Sequence, residues 1–146
     1  MALLRTTLFA VGGLAALGLG GFFALGLVSQ NGSAPGLVDG RLAPCPDSPN
    51  CVSSEEGTAE AKRVETLPPD AWDQLPDVIA SLGGSVTETH EDYIAAEFTS
   101  ATFGFVDDVE FRRAEDGVHV HSASRVGYSD AGVNAQRVAD IRSAVE

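Results

Sequence analysis

The stretch FVDDVEFRRAEDGVHVHSAS, residues 105–124, decides the fold. Apolar and polar residues alternate along both of its halves, and period-two alternation marks a strand with two different faces. Asp116-Gly117 between the halves is a hairpin signal. The pattern predicts strands over 105–113 and 118–124, paired antiparallel. Phe103, Phe105, Val109 and Phe111 then share a face with Val118 and Val120, the expected core side. The other face carries Asp108, Glu110, Arg112, His119, His121 and Arg125. Asp107, Ser122 and Ser124 are polar residues projected onto the core side. They need partners there, because burying a polar group without a hydrogen bond costs about 1–3 kcal/mol.

Working outward, two further strands are expected over 85–90 and 93–99, joined by the turn His90-Glu91-Asp92. Short connections make the four strands an antiparallel meander. Upstream, Trp72, Leu75, Ile79 and Leu82 recur at helical spacing, with Asp70 as a cap and Gly83-Gly84 as the stop. Pro76 inside that pattern predicts a kink or a late start. Downstream, Val138, Ile141 and Val145 form the stripe of a helix over 131–145, capped by Ser129 or Asp130. The expected fold class is α+β: an N-terminal transmembrane helix, then a two-layer domain of order α-β-β-β-β-α with both helices on one face of the meander.

The N-terminal segment has a different character. Leu8 to Val28 is 21 residues without a charge, enough helix to cross about 30 Å of hydrocarbon. Residues 1–38 hold one charged side chain, Arg5, whereas residues 39–146 hold eight basic and all 21 acidic residues. Arg5 before the apolar run predicts a single-pass anchor with the N-terminus cytoplasmic and the domain in the periplasm or another extracytoplasmic space. A signal peptide cut near Gly32-Ser33-Ala34, giving a secreted protein, is the alternative. Gly12, Ala16, Gly20 and Ala24 form a small-residue stripe on one helix face, a candidate contact for a partner protein. The expected organisation is an anchor or signal over 1–28, a flexible linker over 29–41 and the domain over 42–146. The net charge of −12 excludes nucleic acid as a partner.

Cys45 and Cys51 lie in the loop PCPDSPNCVSS, residues 44–54. In an oxidising compartment they are expected to pair, and closing so short a ring stabilises a fold by about 2 kcal/mol in the chain-entropy treatment. A redox or metal-binding pair is the alternative. His119-Val120-His121 puts two imidazoles on one strand face, where Glu110 or Asp108 could add a carboxylate and complete a metal site. A face of charge pairs in solvent is the simpler account. Arg125, Ser122, Ser124 and Asp130 lead into the last helix, whose Asn134 and Arg137 face one way. With Asp107, Asp108 and Glu110 across the hairpin, this set reads as an internal arginine–carboxylate lock or as a small-anion site. No Gly-x-Ser-x-Gly elbow, P-loop or dinucleotide glycine pattern occurs, so no catalytic residue and no cofactor is expected.

PCPDSPNCVSS (44–54), FVDDVEF (105–111) and SASRVGYSDAGVNAQR (122–137) together resemble the domain of unknown function 1499 family. The resemblance spans nearly all of residues 42–146. It implies that these motifs travel together, often behind a membrane or export segment, and it implies no activity. The resulting functional expectation is a membrane-anchored extracytoplasmic binding or scaffold domain, an accessory part of a membrane or envelope complex. The alternatives are a small-anion or small-ligand binder using Arg125 and Arg137, and a metal-dependent enzyme on the His119/His121 face.

Overall fold

The computed structural model describes residue 18 and residues 20–146. The expected membrane span over 8–28 and the stripe residues Gly12 and Ala16 therefore lie partly or wholly outside the described residues. Residues 20–29 are helical (α1). Among the described residues no helix is long and apolar enough to cross a membrane.

Two small strands follow, β1 (Leu37–Val38) and β2 (Arg41–Leu42), joined by Asp39-Gly40. Both turn residues have positive φ, 53° and 76°, the left-handed pair that suits a two-residue hairpin. The main sheet is antiparallel and holds β3 (Cys51–Ser53), β4 (Ser85–Thr89), β5 (Tyr93–Thr99), β6 (Val106–Ala114) and β7 (Gly117–Ser124). Its order is β3-β7-β6-β5-β4. The meander is present, but the sheet has five strands rather than four. The extra strand, β3, pairs Cys51 with Ala123, Val52 with Ser122 and Ser53 with His121. At three residues it is too short to carry an alternation signal.

The helical layer begins with a 3₁₀ turn over Pro69–Gln74 and continues as α2 (Leu75–Ser81), with Pro76 in its first turn. Proline there loses no helical hydrogen bond, so the helix starts late and does not kink. Asp70 makes no side-chain capping bond; Pro68 stands at the N-cap. Gly83, at φ 86°, closes α2. The last helix, α3 (Val133–Val145), has Gly132 at its N-cap, and the Asp130 carboxylate two residues earlier accepts the amides of Gly132 at 3.0 Å and Asn134 at 2.8 Å. Helices α2 and α3 touch one another and cover one face of the sheet. The core lies between these layers: Leu75, Ile79, Val138 and Ile141 meet Ile94, Ala96, Val109, Phe111, Val118 and Val120. Burying each large side chain contributes about 1.5–3 kcal/mol.

Phe103 and Phe105 are not in that core. They precede β6 and pack on α1, with the Phe22 and Phe103 rings 5.3 Å apart and Phe23 and Phe103 5.2 Å apart. Alternation could not place them, because the strand begins only at Val106. The second face of the sheet is not solvated either. Residues 29–42 run across it, and β2 lies over β6 and β7. Glu110, His121, His119 and Asp108 are buried beneath this cover.

Candidate functional site

The sheet register sets which polar side chains meet. Asp107 and Asp108 are consecutive on β6, so they point to opposite faces, and each takes its own arginine. On the helical face, Arg137 of α3 donates to Asp107 Oδ2 at 2.8 Å and to Asn134 Oδ1 at 2.7 Å. Its guanidinium also lies 4.7 Å from the Phe98 ring centroid. Asn134, fully buried, accepts from Ser122 Oγ at 2.6 Å and donates to Ser124 Oγ, the Asn50 carbonyl and Asp130. Burial pushes the Asp130 carboxyl upward, but the Asn134 and Gly132 amides outweigh it and hold the group below the usual range. Arg137, not Arg125, ties the sheet to the last helix.

On the other face, Arg125 binds Asp108 through two donors, Nε to Oδ2 at 2.7 Å and Nη2 to Oδ1 at 2.6 Å. It also donates to Glu97, and its Nη1 reaches the Ser29 carbonyl at 3.1 Å. The hydrogen bond to Asp108 is the main reason that its basicity is raised, against the opposing effect of burial. Both arginines of the proposed anion site are thus held by carboxylates of this chain, and an external anion would have to displace them.

Further along the same face, Arg112 grips Glu55 with Nε at 2.7 Å and Nη2 at 3.1 Å, and the Leu42 amide donates to the same carboxylate at 3.1 Å. Burial alone would push the Glu55 carboxyl up; the Arg112 and Leu42 hydrogen bonds together hold it below its ordinary value. His119 Nδ1 lies 3.3 Å from Ser54 Oγ, and its Nε2 is 3.3 Å from Asp116.

Between these clamps is a chain of groups that runs to the disulfide. Glu110 and His121 are directly paired across β6 and β7. Glu110 Oε1 accepts the Tyr93 hydroxyl at 2.7 Å and the Gly36 amide at 2.8 Å. Burial, reinforced by the Glu110 carboxylate, pushes the Tyr93 hydroxyl to weaker acidity. Glu110 Oε2 faces His121 Nδ1 at 3.2 Å, and among the described residues neither of these two buried atoms has another partner. The far ring nitrogen, Nε2, sits 3.2 Å from Cys51 Sγ. Cys51 is joined to Cys45 by a disulfide. Cys51 is 1% exposed and His121 2% exposed, whereas Cys45 is half-buried.

Glu110 and His121 carry a sequence signal as one candidate metal set, and the two cysteines carry theirs as a separate disulfide. Their convergence depends on β3 pairing beside His121. Tyr93, Glu55, Glu97, Ser29 and Gly36 were not singled out. Only Tyr93 and Glu97 had a usable signal, since they share the phase of β5 opposite to Ile94, Ala96 and Phe98. The alternative metal set of His119, His121 and Glu110 is not the one that gathers: among the described residues, the group of donors within 4.8 Å of one another is Cys45, Cys51 and His121. With the sulfurs bonded to each other, no thiolate is available there as a ligand.

A family model described as "Protein of unknown function (DUF1499)" matches residues 41–145. The chain belongs to the DUF1499 family. No curated protein and no solved structure matches the chain. The matched segment of this DUF1499 chain contains the whole five-stranded sheet, both packed helices and the disulfide, and it begins after Ser29 and Gly36.

Proposed function

We propose that this chain is a membrane-anchored, extracytoplasmic binding or scaffold domain. The observation that carries the reading is how the end of the apolar run joins the domain. Ser29 is buried; its Oγ donates to the Gly26 carbonyl at 2.7 Å and accepts the Val106 amide at 3.1 Å, while Arg125 holds its carbonyl. One turn earlier, Phe22, Phe23, Leu25, Leu27 and Val28 are exposed, and the half-buried Phe103 joins them. Such an apolar surface at the end of the 21-residue uncharged run suits lipid far better than water. The clamp then holds the sheet against the bilayer surface, with the Phe103 turn at the interface. The arginine clamps supply rigidity, which favours a binding platform over an open anion pocket.

The test uses the full-length chain with its own N-terminus. It is expected to stay in the membrane pellet through an alkaline carbonate wash, and protease added outside the cytoplasm is expected to digest the domain. Cross-linking after gentle detergent extraction is expected to trap a second polypeptide. Intact chain in the soluble cytosol would overturn the anchor; a chain that always runs alone would overturn the scaffold role.

A further inference from the structure

We propose that Cys45–Cys51 is a redox-active disulfide that exchanges with an external dithiol, with His121 serving the leaving sulfur. The inference rests on an asymmetry between the two sulfurs, independent of where the protein resides. Cys45 lines an open cleft of about 480 Å³ together with Val38, Arg41, Pro46, Glu56 and Lys62. Cys51 is buried at the start of β3, with His121 Nε2 3.2 Å from its sulfur. A disulfide is cleaved by in-line attack on one sulfur while the other departs as thiolate. Only Cys45 is open to such attack, so Cys51 is the sulfur that leaves, and it leaves toward His121 Nε2.

The groups behind His121 fit that role. Glu110 Oε2 faces Nδ1, and the Tyr93 hydroxyl and Gly36 amide fix the other carboxylate oxygen. A purely structural disulfide needs no carboxylate–imidazole pair buried against one of its sulfurs. Burying such a pair carries a desolvation cost that alternating apolar residues would avoid. The pair orients a ring N–H at the position where negative charge appears on sulfur, as a histidine beside a cysteine stabilises the thiolate.

A donor thiolate attacks Cys45 Sγ, a new S–S bond forms, and the Cys45–Cys51 bond breaks with its electron pair on Cys51 Sγ. His121 gives its Nε2 hydrogen to that thiolate and regains the proton that the donor's first thiol had released. The donor's second thiol, losing its proton, attacks its own bonded sulfur, and Cys45 departs and takes up a proton. One dithiol is oxidised by two electrons and one protein disulfide is reduced.

Dithiothreitol is the probe, applied to the full-length chain in detergent without denaturant. The disulfide is expected to be reduced while the fold persists, with the sheet's circular dichroism unchanged. His121→Asn is expected to slow reduction at least tenfold and to shift the equilibrium with dithiothreitol at least tenfold toward the disulfide, about 30 mV for a two-electron couple. Glu110→Gln is expected to move both quantities the same way, and it serves where His121→Asn does not fold. In Cys51→Ser, Cys45 is expected to form a mixed disulfide with glutathione; in Cys45→Ser, Cys51 is expected to resist it. Reduction only after unfolding would overturn the proposal, as would a folded His121→Asn or Glu110→Gln protein with the wild-type rate and equilibrium.

Discussion

At the scale of single residues, the energetics of this protein turn on buried charges and their partners. Asp108 is 3% exposed, and what makes that burial tolerable is Arg125, which gives it two hydrogen bonds and then reaches Glu97 and the Ser29 carbonyl. Deleting one partner of a buried pair leaves the other charge desolvated, at a cost of about 3–5 kcal/mol. Arg125→Ala is therefore expected to lower unfolding free energy by that amount in urea titration. Arg125→Lys keeps the charge but cannot present the planar fork, so its loss should be smaller yet still above about 1 kcal/mol. An Arg125→Ala protein as stable as wild type would mean that Asp108 finds another partner or water. Arg137 is the internal comparison, because it meets only Asp107 among carboxylates and gains the Phe98 face.

At the scale of elements, the sheet and helices form where periodicity is long enough to read. Strands β5, β6 and β7 alternate over seven or more residues, and α3 repeats its apolar positions over 13. The pieces that build the second face left almost no pattern. β1, β2 and β3 are two or three residues each, and they form because Asp39-Gly40 turns the chain and β3 pairs along β7. The charged phase of β6 and β7 was legible, but its burial was not. Burial depends on residues 29–42 folding back across the sheet, and nothing local to Glu110 or His121 announces that. Helix α1 shows the same dependence on tertiary contact. A Cβ built on Gly26 would lie 1.8 Å from the Phe103 carbonyl oxygen, whereas one on Gly20 would meet nothing within 4 Å. Gly26→Ala is expected to push α1 off the β5–β6 turn and to cost about 1–3 kcal/mol of stability. Gly20→Ala should leave folding unchanged. Equal urea midpoints for the two variants would show that the α1 docking contributes nothing to the domain.

At the scale of the whole molecule, the structural unit is longer than the family match. The match starts at residue 41, but two buried carboxylate networks take bonds from residues before it. Gly36 donates its amide to Glu110 Oε1, and Ser29 gives its carbonyl to Arg125 and its hydroxyl oxygen to the Val106 amide. Ala34 packs on the cluster of Leu42, Tyr93 and Ala95. A chain cut to residues 41–146 keeps every strand of the main sheet but loses these contacts and uncovers Tyr93 and Glu110. Hydrogen bonds to charged groups contribute about 1.5–3 kcal/mol each, and two are lost here. The cut domain should therefore be less stable than residues 29–146 by about 3–6 kcal/mol, less whatever water recovers at the opened face. Urea titration of the two soluble fragments measures the difference. It also separates two pictures of the molecule. Equal stability would make residues 29–40 a passive tether beside an independent domain. A large loss would make them part of the fold, so that the arginine clamp on Ser29 and the Glu110–His121–Cys51 chain belong to one cooperative layer.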